Sequence, residues 1–297
     1  MMPKLDLPAL AMGLMFSLMW SSAFATARII VADAPPLWAL TFRFALSGAI
    51  AVGVARAMGQ DWRLTAGVAR SVLIFGLCQN ALYLGLNFVA LQWIQASLAS
   101  IIASSMPLIV ALLGWLIRGD RVAPLGQLGL ALGFAGVALI MGTRVTGGAN
   151  VTGIALCVVG ATALAVATLT VRAVSAGGNL LMVVGLQMWV GSAVLLVAAL
   201  LTEPLTINPS LPLAAAMAYQ ILVPGLAATL LWFTLVRRVG AIRASTFHFL
   251  NPFFGVAVAA ALLGEHVSAT DIAGVLTAMV GIMAVQLSRQ AASKAAS

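Results

Sequence analysis

Charge is scarce in this chain: of its 297 residues 7% are Asp, Glu, Lys or Arg, while 63% are apolar. Soluble domains of that total length need far more polar surface to face water, so a water-soluble fold is excluded and a bilayer must be the solvent. The seven acidic residues are outnumbered by fifteen basic ones, giving a net charge of +8. The basic residues punctuate apolar segments and form no basic helix face or basic-aromatic alternation, which argues against a nucleic-acid surface. Cysteine is nearly absent. Cys78 and Cys157 fall inside predicted helices without paired spacing, which leaves neither a disulfide framework nor a zinc site. The chain also lacks a His-Glu-x-x-His motif, paired intramembrane Asp residues and a Ser-His nucleophilic arrangement. We therefore expect no enzyme activity, no metal and no cofactor.

What the chain has is apolar length. Residues 71–117 carry no charge over 47 positions, and 173–202 and 204–236 are likewise uncharged. Cutting at charges, Pro and Gly clusters predicts an all-α membrane protein of ten spans. These lie near 7–31, 36–58, 67–90, 93–117 and 124–141, then 151–173, 180–202, 212–236, 241–263 and 270–288. Lys4, the following apolar run and Ala23, Phe24 and Ala25 look like a secretory signal, but the run exceeds a signal core and nine spans follow. We expect it to be retained.

One internal offset of 145 residues superimposes the sparse landmarks. It joins Pro107 to Pro252, Gly119 and Asp120 to Gly264 and Glu265, Gly129 to Gly274 and Gly136 to Gly281. The chain reads as a duplication, with five-helix repeats over 1–145 and 146–297. Five is odd, so the halves enter the membrane in opposite directions, an inverted repeat suited to alternating access. Twelve of the fifteen basic residues fall on the side of the N-terminus: Lys4, Arg56, Arg63, Arg70, Arg118, Arg121, Arg172, Arg237, Arg238, Arg243, Arg289 and Lys294. Both termini are therefore expected in the cytoplasm, with Glu203 and Glu265 in periplasmic loops.

Arg237 to Ser245, then Phe249, Leu250, Asn251 and Pro252, then Leu263, Gly264 and Glu265 form a pattern that the first half repeats loosely. There it is Ala99 and Ser100, Met106 and Pro107, Gly119 and Asp120, after an opening of Trp20, Ser21, Ser22, Pro36, Arg43 and Phe44. Over nearly the whole chain this resembles the drug/metabolite transporter superfamily, specifically its duplicated EamA-type members, and within it the bacterial YddG-type amino acid exporters. Two departures mark the halves as unequal: Asp120 where Glu is more usual, and Gln92, Trp93, Ile94 and Gln95 in place of the basic approach of the second half. The resemblance implies a secondary transporter of the bacterial inner membrane that exports a small metabolite, an apolar or aromatic amino acid being the first expectation and a drug or other metabolite the alternative. Its partners would be that small molecule and the lipid bilayer, and a monomer is compatible with the sequence.

Candidate substrate contacts follow from polarity at membrane depth. Arg43 lies inside the second span, where it can bind a substrate carboxylate, bond backbone carbonyls or snorkel. Gln79, Tyr83 and Asn87 recur at four-residue spacing and form one helical stripe. Ser97, Ser100 and Ser104 form another, with close packing the better reading. Trp20, Phe24 and Trp232 can wall an apolar chamber, and Gln187 adds an amide on the seventh span. His248 and Asn251 share a face ahead of Pro252, and His248 is the one deep titratable base. Since no Asp or Glu lies deep in a span, facilitated export is favoured over proton coupling. Pro107, Pro224 and Pro252 are candidate gating hinges. Ser268 and Asp271 have the spacing of a capping box, and Gly129 with Gly133 suggests helix packing.

Overall fold

The structure, a computed structural model, describes residues 6–120, 122–170 and 179–295. Among the described residues ten helices are long and apolar enough to cross a membrane. They are α1 (Leu7–Asp33), α2 (Pro36–Ala57), α3 (Ala66–Ala90), α4 (Ala96–Ile117), α5 (Pro124–Thr146), α6 (Val151–Leu169), α7 (Leu180–Thr202), α8 (Leu211–Val239), α9 (Arg243–Leu263) and α10 (Ala269–Ala291). No strand occurs among the described residues. The expected spans all appear. Lys4, Arg121, Arg172 and the end of the sixth span lie outside the described residues.

Local chemistry sets the ends. Pro36 and Pro124 open α2 and α5 at first-turn positions, where the missing N–H is no loss. Thr65 accepts from Val68 N to cap α3, and Ser210 accepts from Leu213 N to cap α8. At α10 the Ser268 and Asp271 pair bonds in both directions, Asp271 N to Ser268 Oγ at 3.1 Å and Ser268 N to the Asp271 carboxylate at 2.9 Å. The shorter Asp thus serves where Glu is usual. Arg144 closes the same carboxylate at 2.9 Å.

The described chain forms two compact units, each assembled from separate stretches of sequence. The first holds Met1–Ala25, Ala96–Gly148 and Ala227–Ser297, and the second Thr26–Gln95 and Ala149–Leu226. In the first unit α5 and α10 pack through glycine. A Cβ on Gly136 would stand 2.6 Å from Gly274 O, and one on Gly129 2.8 Å from Gly281 O. Rising numbers on α5 meet falling numbers on α10, so the two helices run antiparallel. Lipid tails are as apolar as the helices, so association comes from such close packing rather than from expulsion of water.

The second unit repeats the arrangement with α2 and α7. Ser192 Oγ donates to Thr41 O, Trp189 Nε1 donates to Ala45 O, and a Cβ on Gly48 would lie 3.0 Å from Gly185 O. The order is again antiparallel. Both N-termini are capped by distant side chains at positions 145 residues apart: the Glu203 carboxylate accepts from Leu37 N at 3.0 Å, and Gln60 Oε1 accepts from Met182 N at 3.0 Å. Burial raises the Glu203 pKa more than the N–H groups of Trp38 and Leu37 lower it. In the first unit Glu265 does the same for α4, accepting from Ala96 N at 2.7 Å and Ser97 N at 3.0 Å.

Candidate functional site

Four spans depart from regular α geometry, at places that the 145-residue offset brings together. Within α3, Gly76–Leu84 is π-helical, and within α8 so is Val223–Ala227, which the 145-residue offset lays inside the first. Helix α4 breaks at Ser105 before a new segment, Met106–Arg118, with Pro107 in its first turn. Helix α9 passes through a 3-10 turn at Phe247–Leu250 before Asn251–Leu263, with Pro252 in its first turn. Both segments end on a left-handed glycine, Gly119 at φ 67° and Gly264 at φ 66°. Pro107 and Pro252 therefore start helices after a break, where the sequence alone suggests a bend in a continuous span. Pro224 lies in the α8 π segment. Such segments recur at functional sites because backbone groups there leave the regular ladder.

The freed groups are met from α1. In α9 the Asn251 N–H bonds His248 O, so Phe247 O loses its regular partner. Ser17 Oγ donates to that oxygen at 2.9 Å, and Ser21 Oγ donates to Asn251 O at 3.2 Å. These hydroxyls seat α1 against the 3-10 turn and bring aromatic rings together. Phe16 lies 5.8 Å from Trp20, 4.8 Å from Trp232 and 5.4 Å from His248, centroid to centroid. Trp232 meets His248 edge-on at 5.0 Å. Phe16 is buried, while Trp20, Trp232 and His248 are half-buried. His248 Nδ1 lies 3.2 Å from Ser245 O, which orients the ring. Phe24, also expected at the chamber, is buried.

The sequence pairs Trp20 with Trp232 but gives no sign of Phe16, whose apolar surroundings carry no signal. Asn251 is buried with its Oδ1 unpartnered among the described residues. Ser100 is buried where a Cβ on Gly255 would approach its Oγ to 1.9 Å, and Ser104 Oγ donates to Ser100 O at 2.6 Å. Local backbone bonding thus accounts for Ser104, whereas the Ser100 hydroxyl is packed against Gly255 with its Oγ unpartnered among the described residues.

The remaining candidates belong to the second unit. Tyr83 and Asn87 are buried, Asn87 Nδ2 donating to Tyr83 O at 2.7 Å. A Cβ on Gly160 would lie 3.2 Å from Tyr83 O, so this stretch is packed on α6. Gln79 is half-buried, and its neighbour Asn80 makes the long-range bond, Nδ2 to Gln187 O at 2.9 Å. The i to i+5 bonding of the π segment widens the turn, so a stripe counted on a 3.6-residue wheel loses register there. Gln187 is half-buried. A pair unseen in the sequence, Gln220 Nε2 donating to Thr26 Oγ1 at 2.8 Å, ties α8 to the end of α1. Arg43 is buried beside the Phe44 ring, 5.2 Å from its centroid, with Nε and Nη1 unpartnered among the described residues. A guanidinium at such depth costs about 2.5–3.5 kcal/mol on insertion scales.

Among the described residues no group of three or more His, Cys, Asp or Glu side chains could hold a metal ion.

A model of the EamA-like transporter family matches residues 7–142 and again 151–287. The uncharacterized transporter YvbV of Bacillus subtilis is 26% identical over 94% of this chain and 92% of its own length. The uncharacterized inner membrane transporter YedA of Escherichia coli is 26% identical over 86% of this chain and 84% of its own. A protein of known crystal structure superposes over 95% of this chain and 98% of its own with a TM-score of 0.66 at 21% identity, a likeness of fold alone.

Proposed function

The chain belongs to the EamA-like transporter family, and from that premise we propose that it exports an apolar or aromatic amino acid across the bacterial inner membrane by alternating access. It is a membrane transporter and not an enzyme, as its relatives are. The observation that carries the substrate reading is the ring group of Phe16, Trp20, Trp232 and His248, contributed by three helices at the α9 break. Tilted and edge-on rings provide a wall on which an aromatic side chain gains about 0.5–1.5 kcal/mol per ring pair beyond area burial.

Alternating access rests on the inverted repeat, and two features support it. Repeat-equivalent helices pack antiparallel, α5 with α10 and α2 with α7. The glycine approaches are also reciprocal, Gly129 against Gly281 and Gly136 against Gly274, where Gly129 is equivalent to Gly274 and Gly136 to Gly281. Such an exchange of partners is what a two-fold relation between two segments produces. We assign Pro107, Pro224 and Pro252 to the gating elements because each sits at a departure from α geometry. Both termini are assigned to the cytoplasm, so a cysteine placed at Glu265 should react with impermeant reagent from the periplasm; reaction from the cytoplasmic face alone would reverse the topology.

The substrate reading is tested by competition in proteoliposomes. Labelled phenylalanine should be exchanged, with leucine and methionine competing, and Trp232→Ala should raise its half-saturation concentration about tenfold. Selective movement of cationic drugs with no amino acid exchange would replace this reading with drug efflux.

A further inference from the structure

We propose that Arg43 is the carboxylate anchor of the transporter: the solute carries a free carboxylate, and that group supplies the counter-charge this guanidinium lacks. The proposal rests on the export reading above and adds the residue that holds the carboxylate of the exported acid.

Every acidic side chain of the protein is engaged or placed elsewhere. The chain has seven Asp and Glu residues, and all lie among the described residues. Asp6 pairs with Arg238 at 2.9 Å, and Asp271 with Arg144 at 2.9 Å. Asp33 accepts from Ser210 Oγ, and Asp61 accepts from Arg63 N in an exposed loop. Glu203 and Glu265 cap the starts of α2 and α4. Asp120 is exposed beyond the glycine that ends α4. None is paired with Arg43.

On the elements packed against α2, the neutral side chains that bond do so with groups other than Arg43, whose Nε and Nη1 have no partner among the described residues. Ser192 Oγ donates to Thr41 O, Asn80 Nδ2 to Gln187 O and Gln220 Nε2 to Thr26 Oγ1. The Phe44 ring gives Arg43 an apolar cover and a weak cation-π interaction, which compensates only part of a full charge.

Depth closes the alternative of snorkelling. Arg43 is seven residues inside α2, about 10 Å along the axis at 1.5 Å per residue. The approaches of α2 to α7, Thr41 with Ser192 and Gly48 with Gly185, place Arg43 close to the middle of that crossing. Buried charges are ordinarily paired, and one that is not points to a partner that comes and goes. Four residues on, along the same face, Ser47 is buried with its Oγ also unpartnered among the described residues, beside Gly225 in the α8 π segment. A guanidinium and a hydroxyl in succession suit the two oxygens of one carboxylate.

The test uses acids and their amides as matched pairs in counterflow with the full-length protein: phenylalanine and phenylalaninamide, leucine and leucinamide, 3-phenylpropionate and 3-phenylpropanamide. The acids should compete about 100-fold better than the amides, the scale set by a charge-assisted hydrogen bond in a buried site. Arg43→Met should abolish acid uptake while its apparent melting temperature stays at or above the native value, because an uncompensated buried charge has been removed. Arg43→Lys should retain reduced, still acid-selective uptake. Native protein that accepts amides as well as acids overturns the proposal, as does Arg43→Met with native acid uptake or with a collapsed fold, the last marking Arg43 as structural. Uptake of 3-phenylpropionate without any amino acid would sink the amino acid reading and leave the anchor standing.

Discussion

Replacing Gly281 by Ala probes the close α5 and α10 packing directly. A Cβ built there stands 2.2 Å from Gly133 N, 2.4 Å from Gly133 Cα and 2.7 Å from Gly129 O. All three neighbours are backbone, so no side chain can rotate away and the helices themselves must part by about 1 Å to reach ordinary separation. Overpacking costs about 1–3 kcal/mol where neighbours can yield, and the rigid setting puts Gly281→Ala near the upper end, about 3 kcal/mol. Parting would also loosen Gly136 from Gly274 on the same interface. The internal control is Gly142→Ala on α5, where a Cβ meets nothing within 4 Å. Removing a mid-helix glycine there should gain about 0.5–1 kcal/mol. Thermal unfolding of the two purified variants in detergent, followed by fluorescence-detected gel filtration, should separate them by several degrees on opposite sides of the native protein. If Gly281→Ala melts with or above Gly142→Ala, the two helices do not pack this closely.

Arg144→Met strands the buried Asp271 carboxylate, 3% exposed, without its counter-charge and should destabilise by about 3 kcal/mol, whereas Asp271→Ala, which loses the cap but leaves Arg144 at 19% exposure able to reach water, should cost about 2 kcal/mol. Equal losses in a melting series would refute that ranking. Glu203 has a raised pKa in the fold, so its contribution is present below its ordinary value of 4.5 and is lost as the pH rises through the folded value. Melting curves taken upward from pH 4.5 should show that loss, and Glu203→Gln should remove this component while keeping an acceptor for Leu37 N; an unchanged slope would show that another group is responsible. With His248 held among rings and no acid deep in a span, flux should be independent of an imposed pH gradient in both native protein and His248→Gln. Gradient-driven accumulation that the variant loses would make His248 a coupling residue.

The ten spans were legible because bilayer length and charge punctuation act on each segment separately. The 145-residue offset was visible for a similar reason: Gly119 with Gly264 and Pro107 with Pro252 are constrained backbone positions that tolerate few residues, so they stand out in an apolar background. The gathering of helices into units was not. Which ends of α1 and α8 join which unit depends on bonds such as Gln220 to Thr26, nearly two hundred residues apart. Gln60 and Glu203 read as loop residues, and their capping of Met182 and Leu37 arises only when α2 and α7 pack antiparallel. At the site, Arg43, Trp20, Trp232 and His248 could be named because charge and large rings stand out at membrane depth. Asn80 and Phe16 could not, the first because the π segment shifts the helical register and the second because another Phe in an apolar run has no distinguishing neighbour.

Transport by alternating access is tested most directly by the time course of counterflow. Proteoliposomes loaded with unlabelled phenylalanine and diluted into a trace of labelled phenylalanine should accumulate label to a transient overshoot, then release it as the two pools equilibrate. A carrier gives that overshoot because each site returning inward exchanges label for an excess of unlabelled solute. A smooth rise to equilibrium with no overshoot, unsaturated at rising concentration, would be the behaviour of a channel and would contradict alternating access.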